Sequence, residues 1–390
     1  MLGYSLFTCI HVIPPKEITM KFTVGTSDLQ RMLSKIGGVV PAKSPMPILE
    51  TFLFELVNNT LSVTATDQIV SSTIAAQVVG AEDGRIAIPA KRLIDTIRSL
   101  PVTDATFTID VALSKIKITT PNGEYSLTGE SAKEYPVVPE FKSISEMVLD
   151  SSVLRKLVYR TAFAVSMDEL RPAMMGILLQ TNGKEIRAVS TDGHRLSRFI
   201  YKPEKGAQLG RDLIVPAKVL GILVKGLETG ACTVSTSDTH VRFKYEQTVL
   251  VSRLIEESYP NYESVIPHEN ARLLTINREE LINSIRRVAL YASASTHQIR
   301  FDVASNALKL SAQDVDFGGE AHELLPCQYS AEPLEIGFNS MYLVDILSHI
   351  DGEQVTMKFS SSTRAGIVNP TDAPAQEDTL MLIMPVRLNT

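Results

Sequence analysis

A motif order that returns every 122 to 127 residues constrains this chain more than any other property of its sequence. Three segments alternate apolar with polar residues and end in Asp: Leu61-Ser-Val-Thr-Ala-Thr-Asp67, Ile186-Arg-Ala-Val-Ser-Thr-Asp192 and Leu308-Lys-Leu-Ser-Ala-Gln-Asp314. Such alternation predicts half-buried strands. The Asp residues lie 192 − 67 = 125 and 314 − 192 = 122 positions apart. An amphipathic helix precedes each strand, carrying Leu29, Leu154 and Leu281 at separations of 125 and 127. Its expected caps are Ser27 or Asp28, Ser151 or Ser152, and Asn277, the last with Glu280 at the capping-box position. A second helix follows, opened by Ile88-Pro-Ala-Lys91, Val215-Pro-Ala-Lys218 and Gly337-Phe-Asn-Ser340. Proline belongs in a first helical turn because its φ is fixed and its missing donor is not needed there.

Units of this length are domains rather than solenoid repeats. Proline-bearing crossings at Tyr135–Ser145 and Tyr259–Asn270 place the domains at 20–145, 146–268 and 269–390. Lys115–Thr119 and Glu124–Leu127, joined through Pro121-Asn-Gly123, read as a hairpin, and Val241–Tyr245 and Val355–Phe359 hold equivalent places. Each domain is therefore expected to pack two helices on antiparallel sheet, an α+β design. Residues 1–19 stand apart as an extension, either an upstream start-codon choice or a disordered leader. They lack the basic start and the Ala-x-Ala site of a signal peptide.

Several chemistries find no foothold. Cys9, Cys232 and Cys327 are scattered, which argues against disulfides or a cysteine zinc site and for a reducing cytoplasm. The histidines show no metal-ligand spacing. Asp192 and His194 lie near Ser190 and Ser197, but no Gly-x-Ser-x-Gly elbow accompanies them, and no phosphate-binding loop is present. No apolar run reaches membrane-spanning length.

Charge is more informative. The net charge is −6, yet the six helical stretches hold thirteen basic residues, among them Arg98 and Arg278, against five acidic ones. They carry 13 − 5 = +8, which leaves −6 − 8 = −14 for the remainder. A basic helix layer on an acidic protein suits contact with phosphate on one surface and repulsion elsewhere. The residues expected to face DNA from these helices are Arg31, Lys35, Lys91, Arg92, Arg155, Lys156, Arg160, Lys218, Lys225, Arg286 and Arg287.

Thr191-Asp-Gly-His-Arg-Leu196, the two Pro-Ala-Lys helices and Met384-Pro-Val-Arg-Leu388 resemble the bacterial DNA polymerase III beta subunit family, the replicative sliding clamps, across residues 20–390. The resemblance implies the DNA clamp fold and a head-to-tail homodimer, a ring around double-stranded DNA with no sequence preference. It implies no cofactor, metal or catalytic residue, and no membrane contact. The implied partners are the catalytic subunit of the replicative polymerase, a clamp-loader complex, and other polymerases and repair proteins that dock through short linear motifs. The setting would be the cytoplasm, on the nucleoid. Positions matching the family's peptide pocket are Met174, Thr191, Gly193, His194, Arg195, Leu196, Pro260, Val265, Asn339, Tyr342, Met384, Pro385, Val386 and Arg387. Lys43 stands at a loop position that reaches the duplex, and Tyr125 and Leu127 would meet Leu290 and Tyr291 across the joint. Ser264 replaces a family Arg, Met174 a Leu, and Asn389-Thr390 run past the usual end, departures that bear on partner affinity.

Two classes of function remain: a processivity factor that encircles DNA, and an enzyme on a triplicated α+β scaffold. Gly193-His-Arg-Leu196 has no equivalent after Asp67 or Asp314. What differs between repeats is function rather than scaffold, so the middle turn is the expected partner site.

Overall fold

The alternating segments form strands and the 3.6-period segments form helices throughout the computed structural model. It describes residues 19–137, 141–204, 206, 208–314 and 318–388. The expected N-terminal extension, apart from Thr19, and Asn389-Thr390 lie outside the described residues. Six helices of two to three turns occur among them: α1 Thr26–Ile36, α2 Ala90–Ser99, α3 Ser151–Thr161, α4 Ala217–Gly226, α5 Arg278–Val288 and α6 Ser340–Ser348. None is long and apolar enough to cross a membrane.

Two compact units emerge, one drawn from Met1–Pro139 with Glu246–Leu250 and one from Glu140–Tyr245 with Val251–Thr390. In the first, an antiparallel sheet runs in the order Val79–Glu82, Thr19–Gly25, Asp104–Asp110, Lys115–Thr120, Gly123–Thr128. The expected hairpin is its far edge, with Ile118 opposite Tyr125 and Ile116 opposite Leu127. Strands Val70–Gln77, Thr60–Thr66, Thr51–Val57 and Gly84–Pro89 form a second run in that order. Phe22 and Phe107 stack at 4.8 Å between ring centroids, with Phe54 at 6.4 Å from each. All three are fully buried, and α1 buries Leu29, Met32, Leu33 and Ile36.

The second unit holds the middle and last repeats. One eight-stranded antiparallel sheet combines Leu213–Pro216, Gly176–Thr181, Ile186–Thr191 and Arg195–Tyr201 with Glu377–Ile383, Gly366–Pro370, Gln354–Phe359 and Arg272–Asn277. The seam between the repeats pairs Arg195 with Ile383 through to Tyr201 with Glu377. Sequence periodicity separates these repeats, but a hydrogen-bonded seam makes them one body. A four-stranded sheet of Gly319–Pro326, Ala307–Asp314, Gln298–Ala304 and Leu334–Asn339 completes the last repeat.

The caps differ from the expectation in detail. Helix α1 begins after Gly25 with no side-chain cap, and Asp28 sits in its first turn, where it favours the helix dipole. Asp150, not Ser151 or Ser152, caps α3 by accepting from the Ser152 amide at 2.8 Å. Pro89 and Pro216 occupy the N-cap one residue before α2 and α4, because each still belongs to the preceding strand. Asn277 caps α5 as expected, accepting from the Glu280 amide at 3.0 Å.

Removing the buried Phe107 ring leaves a cavity among rings that cannot close it. Phe107→Ala should destabilise the protein by about 3–5 kcal/mol, and Asn277→Ala by about 1 kcal/mol. Urea unfolding followed by circular dichroism reads both, and equal losses from the two variants would contradict this account of the core.

Candidate functional site: the middle turn and the basic helices

The turn after Thr191 is built by its own side chains. Asp192 Oδ1 accepts from the His194 amide at 2.9 Å and the Arg195 amide at 3.0 Å. Thr191 Oγ1 accepts from the Gly193 amide at 3.1 Å and donates to the Arg195 carbonyl at 2.7 Å. Gly193 has φ of +89°, a region that glycine enters without strain. A side chain there would also stand 3.2 Å from the Arg171 guanidinium.

Arg195 reaches away from solvent. Its Nε donates to Asp192 at 3.1 Å, Nη1 to Asp345 at 2.6 Å and Nη2 to the Phe163 carbonyl at 2.7 Å. The guanidinium lies 4.7 Å from the Tyr342 ring centroid and 5.3 Å from that of Phe163. A buried cation with this many partners holds the middle repeat to α6 of the last. His194 remains exposed with its ring 5.9 Å from Tyr342. Asn339 caps α6 by accepting from the Met341 and Tyr342 amides at 2.9 and 3.3 Å, which sets the position of Tyr342.

The C-terminal segment closes the same region. Its Met384 amide donates to the His194 carbonyl at 2.8 Å, and its Val386 amide to the Gly337 carbonyl at 2.9 Å. Leu196 is buried in a cluster with Leu178, Tyr262 and Ile266, against which Tyr259 and Ala173 pack. This places Pro260 and Val265, both exposed, on the segment beside the turn. Tyr262 is tied down by Arg187, which donates to its hydroxyl at 2.8 Å, and it donates onward to Gln180 at 2.8 Å. Burial raises the pKa of Tyr259 and Tyr262, so both phenols stay neutral. Met174 is buried, whereas Met384 is 42% exposed, so the apolar surface offered here comes chiefly from the C-terminal segment and Val265. Pro385 and Val386 follow Met384 half-buried, and Arg387 is exposed.

Sequence reasoning missed Phe163, Arg171, Gly337 and Asp345, which join these positions. Gly337 alone left a signal, since a lone glycine inside a strand pattern often marks close backbone approach.

The basic residues sort into two groups. Arg31, Lys91, Arg92, Lys218, Lys225, Arg286 and Lys43 are exposed, with Arg31 pairing with Asp28 at 3.1 Å, and half-buried Lys35 pairs with Glu246 at 2.5 Å. Others are engaged within the fold. Arg155 donates to the Val224 carbonyl at 3.0 Å and also to that of Leu227, capping the end of α4. Lys156 is exposed but pairs with Glu377 at 2.5 Å. Arg287 holds Glu323 with two bonds of 2.7 Å, and this pairing lowers the Glu323 pKa to about 2.

Arg160 departs from the expected DNA-facing placement. It is 3% exposed and donates to the His349 carbonyl and the Asp351 carboxylate, so it ties α3 to the end of α6. A one-residue shift around the helix decides this: exposed Tyr159 donates to the Ser348 carbonyl at 2.8 Å, and Arg160 points inward beside it. Of the four expected joint residues, Leu290 and Tyr291 are exposed at 81% and 47% and Tyr125 at 38%. Leu127 is only 7% exposed, because it faces its own core from the edge strand.

Known proteins resemble this chain along nearly its whole length. Family models for the N-terminal, central and C-terminal domains of the DNA polymerase III beta subunit match residues 20–139, 148–261 and 263–387. The beta sliding clamp of Chlamydia trachomatis is 30% identical over 389 residues, covering 99% of this chain and 91% of that protein. That of Pseudomonas aeruginosa is 31% identical over 374 residues, covering 95% of this chain and all of that protein. Among solved structures, the DnaN sliding clamp of Bartonella birtlesii bound to griselimycin superposes with a TM-score of 0.90 at 28% identity, covering 95% of this chain and all of that one. With all three domain models matched in order along nearly its whole length, the chain belongs to the DNA polymerase III beta subunit family.

Proposed function

We propose that this chain is a processivity factor that encircles duplex DNA as a head-to-tail homodimer and has no chemistry of its own. Its domains on this reading span 20–145, 146–268 and 269–390. The observation that carries the reading is the union of family membership with a net positive charge on the helices of an otherwise acidic chain. Phosphate attraction without base contacts holds DNA without fixing a register, which permits sliding. Topological closure, rather than affinity, then prevents escape.

The strands Gly123–Thr128 and Gly319–Pro326 each end a sheet. Pairing these edges between two copies would satisfy their free backbone groups and cover Tyr125, Leu290 and Tyr291. Leu127 would support that joint from beneath rather than touch the partner. The middle turn, Tyr342, Pro260, Val265 and the Met384–Arg387 segment form the pocket for short peptides with Gln and Leu-Phe anchors. Such peptides belong to the catalytic subunit of the polymerase, to a clamp loader, and to other polymerases and repair proteins in the cytoplasm. Flexible methionine walls suit a site that serves related anchors. Griselimycin, bound by the Bartonella relative, is a candidate ligand here as well.

Retention on DNA tests the ring. After loading, the protein should stay on closed circular DNA through gel filtration and leave when the circle is cut, and equal retention on both forms would sink the proposal. The two groups of basic residues should also separate. Replacing Lys91 and Arg92 by Glu should reduce the salt dependence of DNA association by about two phosphate contacts with peptide affinity unchanged. Arg160→Ala should instead lower the melting temperature and leave the salt slope as it was, and a slope change of equal size in both variants would contradict the assignment.

A further inference from the structure

The C-terminal segment is fastened by backbone at two points, and one of them tolerates no side chain. Val386 forms an isolated antiparallel bridge with Gly337, the middle of strand Leu334–Asn339. That strand's other edge pairs with Gln298–Ala304, with Gly337 opposite Arg300 and Asn339 opposite Gln298. The segment thus adds a partial fifth strand to the four-stranded sheet of the last repeat. A methyl group at position 337 would stand 2.6 Å from Leu388 Cδ2, 2.9 Å from the Val386 carbonyl oxygen and 3.1 Å from Val386 Cγ2. Leu388 could swing aside, but the backbone oxygen of Val386 could retreat only by moving the segment.

We infer that Gly337 is a positioning residue for peptide binding: its missing side chain lets the C-terminal segment dock, and that docking sets the place of Met384. The other fastening, from the Met384 amide to the His194 carbonyl, is two residues away. Displacing Val386 therefore pulls on the residue that presents the largest exposed apolar side chain of the segment. Gly337 itself lies beneath the segment and touches no peptide. It acts by holding a wall in its bound shape beforehand, which spares the ordering that a loose segment would require on binding. The same strand carries Asn339, the cap of α6, so the sheet edge positions Tyr342 and the C-terminal segment together.

This inference rests on the peptide-pocket reading above, and the test separates the two. Fluorescence anisotropy with a labelled synthetic peptide carrying Gln and Leu-Phe anchors measures affinity for the full chain, for Gly337→Ala, for a chain ending at Pro385, and for that shorter chain with Gly337→Ala. Absence of binding to the unaltered chain would defeat the pocket reading itself. If the unaltered chain binds, Gly337→Ala should weaken the peptide about tenfold, and hydrogen exchange at the Val386 amide should accelerate while amides of Gln298–Ala304 keep their protection. In the shorter chain, which lacks Val386 and Leu388, Gly337→Ala should change affinity no further. Unchanged affinity in the full-length variant would overturn the inference. So would an equal loss in the full and shortened chains, or loss of protection across Gln298–Ala304, because either would mean that the glycine serves the sheet rather than the segment.

Discussion

The arrangement of the second unit depends on one strand pairing. Arg195–Tyr201 from the middle repeat and Glu377–Ile383 from the last run antiparallel over seven residue pairs. Backbone hydrogen bonds of this kind are cheap to keep and expensive to leave unmade in a buried setting. Once the seam forms, the residues at its ends have little freedom. Arg195 at one end must send its guanidinium toward Asp345, and Ile383 opposite it delivers the chain directly into Met384 and the bond to His194. The candidate pocket lies at the end of the seam because two repeats are stitched there and then diverge.

Charge on the helices does two jobs that composition alone cannot separate. Arg155 and Arg160 carry the same charge as Lys91 and Arg92, yet they satisfy helix-end carbonyls inside the fold. Such charge-assisted bonds hold helices together and leave the guanidinium little to offer a phosphate. Arg287 is intermediate, exposed but held by both oxygens of Glu323. The exposed set on α2, α4 and α5 is therefore the better measure of the protein's phosphate-attracting surface.

Much of the scaffold was legible in the sequence because it rests on periodicity. The repeat spacing located all six helices, and alternation located the strands that end near Asp67, Asp192 and Asp314. The caps were less legible, since Asp150 and the serines after it are equally good capping residues and only the path of the preceding strand chooses between them. The fusion of the middle and last repeats was not legible, because strand pairing between segments some 180 residues apart leaves no local trace. The same reason hid Asp345 and Phe163, whose partner is Arg195. Arg160 was misplaced for another reason: a helical pattern gives the face of a residue to within one position, and one position separates solvent-facing Tyr159 from it.

The two-point fastening of Met384–Val386 also bears on how the protein is made. Synthesis proceeds from the N-terminus, and domains fold as they emerge. The turn at Asp192 and the α6 surface can both form while the chain is still growing, but their closing wall lies beyond residue 383. Until that segment is made, the groove between them lacks this wall. On the peptide-pocket reading, the groove takes its final form only once the segment has docked on both the His194 carbonyl and Gly337.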